Sequence, residues 1–267
     1  MNISIYYSIA YSILHHTRNY PMPPILALCL VASSTACTRV ERTKQTAVLV
    51  AAASDLRKVS QPLAAAFERS TGMPVTFSFA SSGQLEQQIR QGASFDVYAP
   101  AARSYCQSLE RDGLADGEDR LYALGRLVAW SKTLQLKSLE ELKESRVRRI
   151  AIANPRYAPY GMAAQQALRA AGLWPAVQSK LVYGETVAHA YEMAETGNAE
   201  VALVAAALVK DAGPSFLPVA QSLYSPLEQA AVVLKGSQNK PAAGAFLEFL
   251  LTAEAQRILQ EYGFGHP

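Results

Sequence analysis

Phe77-Ser78-Phe79-Ala80-Ser81-Ser82-Gly83-Gln84-Leu85 decides how this chain is read. It begins as an alternating apolar strand and ends in two serines and a glycine. A helical pattern then opens, with Leu85 and Ile89 apolar and Gln84, Glu86, Gln87, Gln88 and Arg90 polar. The first turn of a helix leaves N–H groups without a partner, and the peptide dipoles add partial positive charge there. A strand that delivers hydroxyls to such an end makes a ready anion site.

Working outward, the same grammar recurs. Ala47–Ala53 is a buried-type strand that ends at Ser54. A helix is expected from Ser54, with Leu56, Val59, Leu63, Ala66 and Phe67 on its apolar face, Pro62 as a kink and Gly72 as its stop. On this reading Asp55 sits in the first turn, where it favours the dipole. Phe95–Ala99 is a third strand. Strand alternating with helix indicates an α/β domain, and ligands of such sheets lie beyond the C-terminal strand ends. Ser54 and Ser82 would both stand there.

A second unit repeats the pattern. Arg149–Ala153 is a strand followed by Asn154-Pro155-Arg156-Tyr157-Ala158-Pro159-Tyr160-Gly161 and a helix to Ala171. Lys180–Tyr183 is a strand, and Gly184-Glu185-Thr186-Val187 opens the next helix. Val201–Ala205 and Gln229–Leu234 are further strands, and Ala242–Tyr262 is an amphipathic helix split near Thr252. Four helix beginnings therefore matter, after Ser54, after Ser82, at Tyr160-Gly161 and at Thr186-Val187. The residues three positions past the capping hydroxyls are Arg57, Leu85 and His189, so no reciprocal capping box is expected.

Composition narrows the function. With 267 residues, 50% hydrophobic and 18% charged, the chain is globular and long enough for one large or two medium domains. A net charge of +3 without a basic cluster excludes nucleic acid as the main partner. Arg146-Val147-Arg148-Arg149 is read as a solvated loop. Cys29, Cys37 and Cys106 lack metal-ligand spacing, and His189 is the one histidine inside the globular region, so no metal site is expected.

Residues 1–36 have the form of a secretory signal: the apolar run Ile25–Ala32, then Ser33-Ser34-Thr35-Ala36. Cys37 directly after them resembles a lipoprotein processing site, although Ser34 stands where a larger aliphatic residue is usual. Two outcomes stay open, a lipid on Cys37 or a plain cleaved signal. Residues 37–46 would be a tether. Either way the mature protein is expected to work outside the cytoplasmic membrane, as a monomer.

Six motifs in register then carry a resemblance to the periplasmic molybdate-binding proteins of ABC uptake systems. They are Ala51-Ala52-Ala53-Ser54, Phe79-Ala80-Ser81-Ser82-Gly83, Asp96-Val97-Tyr98, Ala158-Pro159-Tyr160-Gly161, Gly184-Glu185-Thr186-Val187 and Tyr262-Gly263-Phe264. The resemblance covers about Ala47 to Gly265. It implies a two-lobed periplasmic binding protein fold of type II, with mixed, mostly parallel sheets and a hinged cleft. Lobe I would be 47–124 plus 222–267, and lobe II 125–221. The ligand would be molybdate or tungstate, without a further cofactor, and an ABC permease would receive it from the closed form. Ser54 and Ser82 would each give hydroxyl and backbone N–H; Tyr160 and Val187 would give backbone N–H. Many members carry a tyrosine where this chain has Ala205, so one donor is missing. Some have Asn where Asp55 stands.

Three other readings compete with this one. A serine hydrolase would use Ser82 or Ser54 as nucleophile, His189 as base and Asp96 as orienter, but no G-x-S-x-G elbow is present. The sensing half of a transcription regulator would need a DNA-binding motif ahead of Ala47, in a segment that is signal-like. Another oxyanion, such as sulfate, is the narrower rival.

Overall fold

The strand-and-helix alternation becomes two five-stranded sheets. The computed structural model describes residues 46–212 and 216–267, which fall within one compact unit, Lys44–Pro267. The signal segment and Cys37 lie outside the described residues.

The first sheet has the order β2-β1-β3-β10-β4. Its strands are β1 (Val48–Ala53), β2 (Val75–Ala80), β3 (Val97–Ala99), β4 (Arg120–Gly125) and β10 (Leu227–Val233). β1 pairs parallel with β2 and β3, while β10 runs antiparallel between β3 and β4. The second sheet has the order β7-β6-β8-β5-β9. It holds β5 (Leu127–Trp130), β6 (Ile150–Ala153), β7 (Leu181–Gly184), β8 (Val201–Ala205) and β9 (Phe216–Pro218). β6 pairs parallel with β7 and β8, and β5 is antiparallel to β8 and β9. In each sheet one strand is reversed and the other four run together, which is the mixed, mostly parallel arrangement expected. Each sheet with its helices is one lobe.

The helices are α1 (Ser60–Thr71), α2 (Ser82–Arg90), α3 (Arg103–Arg111), α4 (Pro159–Ala170), α5 (Val187–Glu195), α6 (Lys240–Leu250) and α7 (Ala253–Glu261), with shorter turns between. Phe67 of α1 packs edge-on against Phe246 and Phe249 of α6, at ring separations of 5.3 and 5.4 Å. This fixes the C-terminal helices to the first lobe. Thr252 divides α6 from α7, and its hydroxyl accepts the Ala255 N–H at 3.3 Å, so the expected split is a true N-cap. The chain crosses once between β4 and β5 and returns between β9 and β10.

Two local expectations need correction. No single helix runs from Ser54. Residues Ser54–Leu56 form a short 3-10 turn, and α1 starts only at Ser60. Pro62 falls in the first turn of α1, where its missing N–H would have had no partner, so it starts the helix and does not kink it. Ser82 is not the N-cap of α2 but its first residue, and Ser81 is the cap. The position three past the cap is therefore Gln84. Its Oε1 accepts the Ser81 N–H at 3.2 Å and the Ser81 hydroxyl at 2.7 Å, closing a capping box that the sequence reading excluded.

Candidate functional site

The C-terminal ends of β1, β2 and β6 and the start of α5 converge on one small cavity. It is lined by Ala53, Ser54 and Asp55, by Ala80, Ser81 and Ser82, by Ala101, and by Ala158, Pro159, Tyr160 and Val187 across the cleft. All four residues singled out from the sequence, Ser54, Ser82, Tyr160 and Val187, are thus brought together.

Each is held by its element. Ser82 is the first residue of α2 and fully buried. Its Oγ accepts the Ala101 N–H at 3.0 Å, and its carbonyl accepts the Tyr98 hydroxyl at 2.7 Å. The oxygen being held as an acceptor, its own proton is free to be donated. Ser54 follows the same logic across the cleft, where its Oγ accepts the Ala188 N–H of α5 at 3.2 Å. Pro159 begins α4, which leaves the Tyr160 N–H among the donors that an α-helix cannot pair internally. Val187 begins α5 behind Thr186, whose hydroxyl accepts the His189 N–H at 3.0 Å. Three α-helix starts and one 3-10 turn therefore point inward, not four full helices. Ala205, buried at the end of β8, brings no donor.

Glycines permit the close approaches. A Cβ on Gly161 would strike the Ala153 carbonyl group and come within 2.9 Å of the Pro155 nitrogen. Gly83 donates its N–H to the Tyr157 carbonyl at 2.8 Å, tying the two lobes together, and a Cβ there would sit 3.1 Å from the same oxygen. At the surface Arg57 and Glu192 also bridge the lobes, at 2.6 Å.

Asp55 differs from its expected role. It does not decorate a helix end. With the helix displaced to Ser60, its side chain turns inward and is fully buried. Burial pushes its carboxyl from 3.8 up to about 7. The Tyr160 side chain is buried as well, and its hydroxyl and the Gln229 amide crowd Gly125. Sequence reasoning missed Tyr122, Gln229 and Gly125, whose only trace was a glycine at the crossing.

The hydrolase constellation does not assemble. Asp96 accepts the Leu49 N–H at 2.9 Å and the Ser237 hydroxyl at 2.6 Å. Leu49 is five residues before Ser54, so along β1 the two ends are about 16 Å apart at the usual rise. The Nδ1 of His189 accepts the Glu185 N–H at 3.3 Å on an exposed helix face. Among the described residues no group of His, Cys, Asp and Glu could hold a metal ion, and no helix is long and apolar enough to cross a membrane.

Two α/β lobes that shut on a small cavity of neutral donors define a protein that encloses a small solute. The chain belongs to the bacterial extracellular solute-binding proteins, whose family model matches residues 48–265. It is 38% identical over 221 residues to the molybdate-binding protein ModA of Rhodobacter capsulatus, covering 81% of this chain and 87% of that one. ModA of Azotobacter vinelandii is 37% identical over 225 residues, covering 82% and 89%. Among solved structures, the periplasmic molybdate-binding protein of Azotobacter vinelandii matches with a TM-score of 0.79 at 30% identity, over 82% of this chain and 99% of that one. The sulfate-binding protein SubI from Mycobacterium tuberculosis, with a TM-score of 0.69 and 15% identity, shares the fold.

Proposed function

We propose that this protein captures molybdate, or tungstate, as the free dianion between its lobes and hands it to the membrane permease of an ABC transporter. The observation that carries the reading is the convergence of Ser54, Ser82, Tyr160 and Val187 on one cavity. Their hydroxyls and N–H groups would meet the oxygens of the anion, and no protein group would touch the molybdenum. A hydrogen bond to a charged acceptor is about twice as strong as a neutral one, so several helix ends can serve without a lysine or arginine in the cavity. The names of the relatives from Rhodobacter capsulatus and Azotobacter vinelandii support the choice of ligand. No catalytic residue and no further cofactor are assigned.

The rest of the reading follows from the same likeness. Residues 1–36 direct export and 37–46 tether the protein, with two outcomes open at Cys37, a lipid anchor or a plain cleaved signal. Lobe I comprises 47–124 with 222–267, and lobe II 125–221; the sheet that each strand joins supports this division. The mature protein acts outside the cytoplasmic membrane as a monomer. The deciding experiment is calorimetry of the mature protein with molybdate, tungstate, sulfate and phosphate. Binding of the first two and not of the others is expected; heat with sulfate alone would replace this reading with the narrower rival. Fatty-acid labelling with and without Cys37→Ala tests the anchor.

A further inference from the structure

Behind the cavity lies a knot of polar groups that the proposed capture of the anion does not use. Both carboxyl oxygens of Asp55, both amide atoms of Gln229 and the hydroxyls of Tyr122 and Tyr160 are buried without a hydrogen-bond partner of normal geometry. Asp55 and Tyr160 line the cavity itself. The knot also joins the lobes. Tyr122 and Gln229 stand on β4 and β10, while Tyr160 stands on α4. Gly125, the last residue of β4, leaves the gap: a Cβ there would strike the Tyr160 hydroxyl and lie 2.8 Å from Gln229 Nε2. The register of β4 and β10 slips between Gln229 and Ala230, a bulge that re-aims a side chain at this point.

The groups facing Asp55 are neutral ones, Tyr160 from α4, Gln229 from β10 and Tyr122 from β4. The nearby charges are spent elsewhere. Arg57 pairs with Glu192, and Lys58 lies over the Tyr191 ring. The Tyr191 hydroxyl donates to Glu195, and His189 is exposed. Arg126 is exposed, Lys210 lies over the Tyr262 ring, and the Tyr224 oxygen accepts the Leu127 N–H. A carboxylate walled off from water without a facing cation neutralises in preference to staying charged. A dianion at Ser54, one residue away, pushes in the same direction.

We propose that Asp55 takes up one proton from solvent as the lobes close on the oxyanion, so that capture strengthens as the pH falls. The new O–H bond forms on a carboxyl oxygen, and the neutral acid then has a proton to give to Gln229 Oε1 or the Tyr160 hydroxyl. Asp55 and the bound dianion together then carry two negative charges in place of three. Asp55 is a positioning residue here, acting through Tyr160 on the start of α4. By reciprocity, the proton raises affinity for the anion as much as the anion raises affinity for the proton.

This rests on the oxyanion reading, and the test separates the two. Calorimetry with molybdate is run at pH 6.5, 7.5 and 8.5 in two buffers of different ionisation enthalpy, on the wild type and Asp55→Asn. The wild type should take up close to one proton per anion at pH 8.5, and its Kd should weaken roughly tenfold per pH unit at the alkaline end. Asp55→Asn should take up none and show one Kd throughout. A wild type with no proton uptake, or an Asn variant with the same slope, overturns the proposal. Should the variant fail to fold, the proton count of the wild type decides alone. Should none of molybdate, tungstate, sulfate and phosphate give heat, the oxyanion reading has failed. Urea midpoints from pH 4 to 7 then test Asp55 without ligand, and a constant gap between wild type and Asp55→Asn overturns it.

Discussion

At the scale of single residues, the cavity works by fixing oxygens as acceptors so that their protons face inward. Ser82 is the best placed, because Ala101 and Tyr98 hold both its oxygens. Ser82→Ala should therefore cost one charge-assisted bond, about 1.5–3 kcal/mol, or roughly a 10- to 100-fold rise in Kd by calorimetry. Asp55 makes a prediction about stability. Its carboxyl ordinarily titrates near 3.8 and is pushed up to about 7 in the fold. The folded state thus keeps a proton that the unfolded chain has released. The stability gained is complete below pH 3.8 and is lost as the pH rises to about 7. A shift of about three units corresponds to about 4 kcal/mol. Urea midpoints should show wild type losing ground to Asp55→Asn by up to that amount across this window. None of this could be seen in the sequence. An aspartate beside a strand end looks the same whether it caps a helix or is buried beneath a cleft, and only the displacement of the helix to Ser60 decides which.

At the scale of elements, the glycines set how near strands and helices can come. Gly161 lets α4 sit on the end of β6, with a Cβ excluded by Ala153 and Pro155. Gly161→Ala should shift the start of α4 and with it the Tyr160 N–H. A loss of about 1–3 kcal/mol in thermal unfolding is expected, together with weaker binding. The strands and helices of both lobes were legible, because apolar runs such as Ile150–Ala153 and the spacing of Leu85 and Ile89 follow from the pleat and the helical turn. Helix starts were less so. In Ser81-Ser82 either serine can cap, and a shift of one residue changes the reciprocal partner from Leu85 to Gln84. In Ser54–Pro62 the sequence permits one kinked helix or a turn followed by a helix, and tertiary packing of the turn against α5 selects the second.

At the scale of the whole molecule, the two lobes are joined by bonds of different depth. Ser54 to Ala188 and Gly83 to Tyr157 lie at the cavity. A ligand that binds only this closed arrangement adds about 2.7 kcal/mol at a hundredfold excess over Kd. For a unit of this size that corresponds to a rise of about 5–10 °C in Tm with molybdate, measurable by scanning fluorimetry. The Arg57–Glu192 bridge is the outer fastening, with each side chain 48% exposed. Such a pair contributes little and is screened by salt. The residence time of the captured ion is therefore set by the inner bonds, and the outer pair acts as a weak latch on its escape. Stopped-flow release at low and at high salt should differ by less than about threefold, and Glu192→Gln should remove most of that difference. A cell meeting saltier surroundings would lose ions already taken only slightly faster, because the bonds that hold them are the ones salt does not reach.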